Sequence, residues 1–171
     1  MKIILWNIKS GRDVSGNYNF EKMLSFLKEK KADLYLLNEV DNIYSERSGL
    51  DKQPELLAQN LATSYRFVPT IRRNFGNLIL HKKELKDFQV FILPGDQEQR
   101  NVATFLVGEI KVFFTHLDYH KKINSLQMAF IKDHLNRENK KKLLFLGDLN
   151  NISIPEKIHY KSGVLVNHVK E

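Results

Sequence analysis

The chain has 171 residues, of which 42% are hydrophobic, 27% charged and 11% aromatic. Its 27 Lys plus Arg stand against 20 Asp plus Glu, a formal net charge of +7, and it has no cysteine. Length and composition fit one globular domain over 1–171 with an ordinary core, and they exclude a disordered, collagenous or coiled-coil chain. The missing cysteine excludes disulfides, thiolate metal sites and a cysteine nucleophile.

Lys2 to Ile8 is rich in β-branched and large apolar residues and stops at Ser10-Gly11, which reads as a buried strand closed by a turn. Phe20, Met23, Leu24 and Leu27 then follow the spacing of one helix face, ended by Lys28-Glu29-Lys30-Lys31. Asp33 to Asn38 is again an apolar run of strand length, so the opening third reads β-α-β. Leu56, Leu57 and Leu61 predict a second helix with Pro54 in its first turn, where a missing N–H costs nothing. From Arg66 the pattern becomes short and β-rich, in Phe67–Ile71, Asn77–His81, Phe88–Leu93, Val102–Val107 and Lys111–Thr115, which reads as successive, largely antiparallel strands. Leu126, Ala129 and Phe130 predict a third helix with Asn124 as N-cap, and Lys142–Leu146 a last strand before Gly147-Asp148. The class is α+β, with helices placed to cover a two-sheet core.

Polar residues at the ends of apolar strands are the informative feature, because a core strand does not need them and a site does. The first strand delivers Asn7, the second Asn38 and Glu39, the strand at 111–115 delivers His116 and then Asp118, and the last delivers Asp148 and Asn150. In extended backbone Asp148 and Asn150 point to one side. Carboxylates and amides are hard oxygen donors suited to Mg²⁺ or Mn²⁺, and a histidine beside them is a proton-transfer group. Together these residue types are the kit for metal-assisted phosphodiester hydrolysis.

The ordered set Leu5-Trp6-Asn7-Ile8, Leu36-Leu37-Asn38-Glu39-Val40-Asp41, Gly76-Asn77-Leu78-Ile79-Leu80, Thr115-His116-Leu117-Asp118 and Gly147-Asp148-Leu149-Asn150 resembles the endonuclease/exonuclease/phosphatase superfamily, in the family's order from residue 5 to 150. The resemblance implies an α/β/β/α sandwich of two mainly antiparallel sheets flanked by helices, and a divalent-metal phosphoesterase. It implies Glu39 as the principal metal ligand with Asn7 as companion. Asp148 would position or activate the nucleophile beside the metal, Asn150 would hold a phosphate oxygen, and His116 would donate a hydrogen bond or proton to the phosphate. Asn77 and Arg100 become secondary phosphate or substrate contacts. Asn38 stands where the family has Gln, a shorter amide able to orient substrate. The family's closing Ser-Asp-His has its nearest counterpart in Asn167-His168, so His168 is expected as the remaining catalytic histidine ahead of His120 or His159, within a C-terminally shortened sandwich.

The net charge is spread almost evenly about residue 80 rather than held in a tail, so an anionic partner is expected to meet the folded body. The main reading is therefore a Mg²⁺- or Mn²⁺-dependent nuclease, acting on DNA in preference to RNA. Two alternatives stay open: a phosphatase of a small phosphorylated metabolite or lipid headgroup, and a catalytically inactive basic nucleic-acid-binding derivative. Lys140-Lys141-Lys142 and Arg72-Arg73 read as solvated loop residues able to track a phosphate backbone. The apolar run Ile3–Trp6 is too short for a signal-peptide core and no stretch approaches a membrane span, so an intracellular protein, cytoplasmic or nucleoid-associated, is expected without membrane contact. A sheet edge exposed near the C-terminus would offer a route to a dimer.

Overall fold

The computed structural model describes residues 1–71, 73–95, 98–139 and 142–150, together with the backbone of a strand at Gly163–Asn167. Over these residues the order is β1 (Ile3–Asn7), α1 (Phe20–Lys30), β2 (Leu34–Asp41), α2 (Gln53–Leu61), β3 (Ser64–Ile71), β4 (Phe75–His81), β5 (Lys86–Ile92), β6 (Asn101–Val107), β7 (Ile110–His116), α3 (Lys121–Arg137), β8 (Lys142–Asp148) and β9 (Gly163–Asn167). The backbone divides into two compact units, Met1–Glu84 and Leu85–Glu171.

In the first unit the sheet order is β1-β2-β4-β3, with β1 and β2 parallel and the other pairs antiparallel. Parallel neighbours need a crossover, and α1 supplies it. The apolar face of α1, Phe20, Met23, Leu24 and Leu27, packs with Leu57, Ala58 and Leu61 of α2 and with Tyr35, Leu37, Leu78 and Leu80 of the sheet. Leu27, Leu37, Leu57, Leu78 and Leu80 are fully buried, and burial of one such side chain stabilises by about 1.5–3 kcal/mol. Lys28 and Lys30 lie in the last turn of α1, where cations oppose the negative end of the helix, and Pro54 sits in the first turn of α2 as expected.

In the second unit the order is β5-β6-β7-β8-β9, antiparallel from β5 to β7 and parallel from β7 to β9. Here α3 makes the crossover between β7 and β8. Its Ile131 and Leu135 pack with Leu93, Val102, Phe113, Leu117, Leu143, Phe145 and Leu149. Among the described residues each unit is thus a mixed sheet covered by helix, two helices in the first and one in the second, the two-sheet α+β class read from the sequence. Each also contains, among the described residues, a parallel β-α-β pair, and the polar strand ends lie at the carboxyl ends of those pairs, Asn7 opposite Asn38 and His116 opposite Asp148.

Three local expectations are corrected. The strand read as ending at Asn38 continues to Asp41 through an irregularity, because Val40 and Asp41 re-pair with Gly76 and Phe75 after the register shifts. Asn124 does not cap α3; the helix begins at Lys121 with His120 as N-cap, and the Asn124 side chain turns inward to donate to the carbonyls of Asp118 and Leu149. The segment from Asp148 to Asn150 is not extended. Asn150 has φ 40° and its N–H turns back to Asp148 Oδ1 at 3.2 Å, so the two side chains are not arranged by strand alternation.

Candidate active site

The first unit carries its polar cluster on a β-bulge. Leu37 pairs with Leu78 and Val40 with Gly76, so Asn38 and Glu39 together stand opposite the single residue Asn77. Glu39 is left with φ 56°, a left-handed conformation that an ordinary residue keeps only where its surroundings enforce it. Its half-buried carboxylate accepts a hydrogen bond from Asn7 Nδ2 at 2.6 Å, and Asn7 Oδ1 in turn accepts from Lys9 N at 3.1 Å. The same bulge sends Asn38 the other way. It is fully buried, and its amide donates to Asn77 Oδ1 at 2.7 Å. Asn7 and Glu39 therefore form one pair and Asn38 and Asn77 another.

Behind the bulge lies a polar network that the sequence reading did not single out. Asp41, fully buried, accepts from Ser48 Oγ at 2.6 Å and from Tyr44 N at 2.7 Å. The Tyr18 hydroxyl donates to Asp51, and burial first, then that hydrogen bond, push the phenol well above its usual pKa. These contacts fold the segment after Glu39 against the loop that follows Asn7.

The second unit builds its cluster on the parallel pair β7–β8. His116 and Asp148 are register partners at the two strand ends, both largely buried, with His116 Nε2 3.8 Å from Asp148 Oδ2. That is too long for a hydrogen bond. Asn150 Nδ2 lies 3.2 Å from His116 Nε2 and donates to Leu117 O at 2.8 Å. These bonds use the amide nitrogen of Asn150; its amide oxygen accepts none of them. With Asn150 donating, Nε2 of His116 is the acceptor nitrogen, a tautomer assigned from the network.

The preceding residue on β8 explains the close approach. Gly147 has φ 155° and a side-chain carbon built on it would lie 2.0 Å from Thr115 O, so only glycine allows the rung beside His116 and Asp148. Next to this cluster, buried Asp118 accepts from both the N–H and the Nδ1 of His120, at 2.7 and 2.8 Å. Asn124 joins the Asp118 carbonyl to that of Leu149.

Arg100 lies just before β6, 5% exposed, with its guanidinium 2.9 Å from Glu98. Among the described residues its Nε has no hydrogen-bond partner. His168 and His159, and with them Arg72, Lys140 and Lys141, lie outside the described residues. Of the candidate residues, the structure thus joins Asn7 with Glu39, Asn38 with Asn77, and His116 with Asp148 and Asn150, while Arg100 is engaged by Glu98. Gln53, Asn124 and Gln127 went unmarked as site residues, because a polar residue on a helix carries no local sign of being buried.

Among the described residues no helix is long and apolar enough to cross a membrane. No curated protein matches the chain by sequence. Among solved structures, an endonuclease/exonuclease/phosphatase from Beutenbergia cavernae DSM 12333 has TM-score 0.71 and 21% identity, covering 88% of this chain and 47% of that one. ANGEL2, a 2',3'-cyclic phosphatase, has TM-score 0.68 and 17% identity, covering 89% and 53%. A 3'-5' exonuclease from Neisseria meningitidis has TM-score 0.62 and 21% identity, covering 89% and 58%. At these identities the likeness is one of fold, and the chain spans about half the length of the solved structures it resembles. The family model described as Endonuclease/Exonuclease/phosphatase family matches residues 4–157, which include both clusters of strand-end residues, and on that match the chain belongs to this family.

Proposed function

We propose that residues 1–171 act as one phosphoesterase domain, a divalent-metal-dependent phosphodiesterase that cleaves nucleic acid, DNA in preference to RNA. The observation that carries the reading is the Asn7–Glu39 pair, a carboxylate kept on a strained bulge at the carboxyl end of a β-α-β unit. Family membership, the net charge of +7 and the likeness to a 3'-5' exonuclease support nucleic acid as the substrate.

The donor chemistry fits a hard cation, since Glu39 and Asp148 offer carboxylate oxygens; Asn7 turns its Nδ2 to Glu39 and would offer its Oδ1 beside that carboxylate with the amide reversed. Glu39, Asn7 and Asp148 are the residues that would hold Mg²⁺ or Mn²⁺. The ion, when bound, supplies positive charge that offsets the charge building on the phosphate oxygens. The protein's own groups do the rest. Asp148, with a histidine for which His168 is the first candidate, orients a water and takes its proton. Water oxygen bonds to phosphorus, the bond to the leaving oxygen breaks, and the leaving oxygen takes a proton from solvent while the base returns to solvent the proton it took. His116, with a proton on Nε2, and Asn150, turned away from His116 Nε2 and Leu117 O, would donate to the equatorial oxygens, while Asn77, Arg100 and Asn38 serve substrate positioning.

The test is cleavage of labelled single- and double-stranded DNA and RNA in Mg²⁺, in Mn²⁺ and in EDTA, with Glu39→Ala and Asp148→Ala purified alongside. Metal-dependent cutting lost in both variants is the expected result; cutting retained by Glu39→Ala would overturn the assignment. The likeness to ANGEL2 favours one second reading, a 2',3'-cyclic phosphatase. Turnover of a nucleoside 2',3'-cyclic phosphate, with none of the polymers cut, would establish it instead.

A further inference from the structure

Two glutamines that no motif marks hold matching places, one in each unit. In the first unit Gln53 opens α2 and is fully buried. Its Oε1 accepts from Asp41 N at 2.9 Å and its Nε2 donates to Ser10 O at 2.7 Å. Asp41 lies two residues beyond Glu39, and Ser10 lies three beyond Asn7. One side chain therefore ties together the segments that leave the two ends of the Asn7–Glu39 hydrogen bond.

In the second unit Gln127 of α3 is also fully buried. Its Oε1 accepts from Asp118 N at 2.8 Å and its Nε2 donates to Pro94 O at 3.0 Å. Asp118 lies two residues beyond His116. The offset from the strand-end residue, the acceptor used and the donor used are the same as for Gln53.

An apolar side chain at either position would leave one backbone N–H and one backbone carbonyl without their partner. What a paired amide adds is a fixed geometry. Glu39 and Ser10 both hold left-handed backbone, at φ 56° and 58°, and such residues persist only where the surrounding contacts over-determine them. Gln53 bonds to the backbone of both neighbourhoods. In the second unit Asn124 adds to the restraint, joining the carbonyl of Asp118 to that of Leu149. Asp118 is thus held at its N–H by Gln127 and at its carbonyl by Asn124, on the chain that leaves His116.

We propose that Gln53 and Gln127 are positioning residues, Gln53 for the Asn7–Glu39 pair and Gln127 for the cluster of His116, Asp148 and Asn150, each acting through the backbone two residues beyond the strand-end group. The kinetic consequence rests on the phosphoesterase reading above; the positional claim rests on the bonds alone.

The experiment follows the side-chain amide resonances of Asn7 and Asn150 by NMR in the full chain, together with kcat and KM for DNA cleavage. The variants are Gln53→Met, Gln53→Glu, Gln127→Met and, as a control for plain loss of core packing, Leu57→Val on the same helix as Gln53. Gln53→Met moves the Asn7 resonances and leaves those of Asn150, and Gln127→Met does the reverse. Each lowers kcat by on the order of tenfold to a hundredfold with little change in KM, as a small misplacement of reacting groups does. Leu57→Val lowers the melting temperature and moves neither amide. Gln53→Glu keeps the acceptor for Asp41 N and loses the donor to Ser10, so it falls between wild type and Gln53→Met; it serves as the reading if the Met variant does not fold. Asn7 resonances unmoved in both Gln53 variants, or moved equally by Leu57→Val, would overturn the proposal. Resonances that move as stated in a protein that cleaves nothing would sustain the positional role and refute the phosphoesterase reading.

Discussion

Replacing Gly147 by alanine tests the close approach that brings His116 and Asp148 level. The new carbon would lie 2.0 Å from Thr115 O, and the residue would have to hold φ 155°. That extended positive-φ conformation is essentially reserved for glycine and costs another residue about 1–3 kcal/mol. The overlap is with backbone that cannot rotate away, so relief requires β7 and β8 to part, and overpacking of this kind costs about 1–3 kcal/mol more. The expected loss is therefore about 2–6 kcal/mol, or on the order of 10 °C in melting temperature for a chain of this size. Gly108→Ala is the control for a positive-φ glycine without steric overlap. Gly108 has φ 59° and nothing within 4 Å of an added carbon, so only the conformational cost of about 1–2 kcal/mol should appear. Thermal unfolding of the three proteins, followed by circular dichroism, gives the comparison, and cleavage measured well below each midpoint shows whether the site is disturbed beyond the loss of stability. Activity should fall by on the order of a hundredfold in Gly147→Ala and stay near wild type in Gly108→Ala. Equal melting shifts in the two variants would refute the steric argument.

Asn124→Ala should cost about 1–3 kcal/mol, because it leaves the buried carbonyls of Asp118 and Leu149 without their donor; chemical denaturation measures this, and a loss of only a few tenths would mean that water replaces the amide. Tyr18 should titrate well above the usual phenol range in the folded chain, read by absorbance at 295 nm. Because its folded pKa is raised above the unfolded value of 10.0, its contribution to stability is present below pH 10 and is lost as pH rises through the folded pKa, so Tyr18→Phe should flatten the alkaline fall in stability. Binding of a DNA strand to Asp148→Asn should weaken linearly in log Kd against log salt, with a slope of several units if phosphates are contacted by the basic body; a flat line would favour a small ester as substrate.

Much of this architecture can be read from local pattern, and what cannot be read has a common cause. The helix faces of α1 and α2 and the polar strand ends at Asn7, His116 and Asp148 announce themselves, because alternation, a 3.6-residue period and a polar residue after an apolar run are local properties. The bulge at Glu39 is not local. Leu36-Leu37-Asn38-Glu39-Val40 reads as strand followed by loop, and only pairing with β4, 39 residues from Asn38 at Asn77, decides that two residues face one and that Glu39 and Asn38 point to different partners. The same holds for Asn124, whose sequence context favours a cap and whose inward turn is set by carbonyls contributed from two other segments. Gln53, after Asp51-Lys52, and Gln127, between Leu126 and Met128, carry no local mark of burial, yet both are fully buried against loops that the helix period says nothing about. Chemistry-bearing residues were visible where the chain itself delivers them to a strand end, whereas the residues that hold them in place lie on other elements and become visible only once tertiary contacts exist.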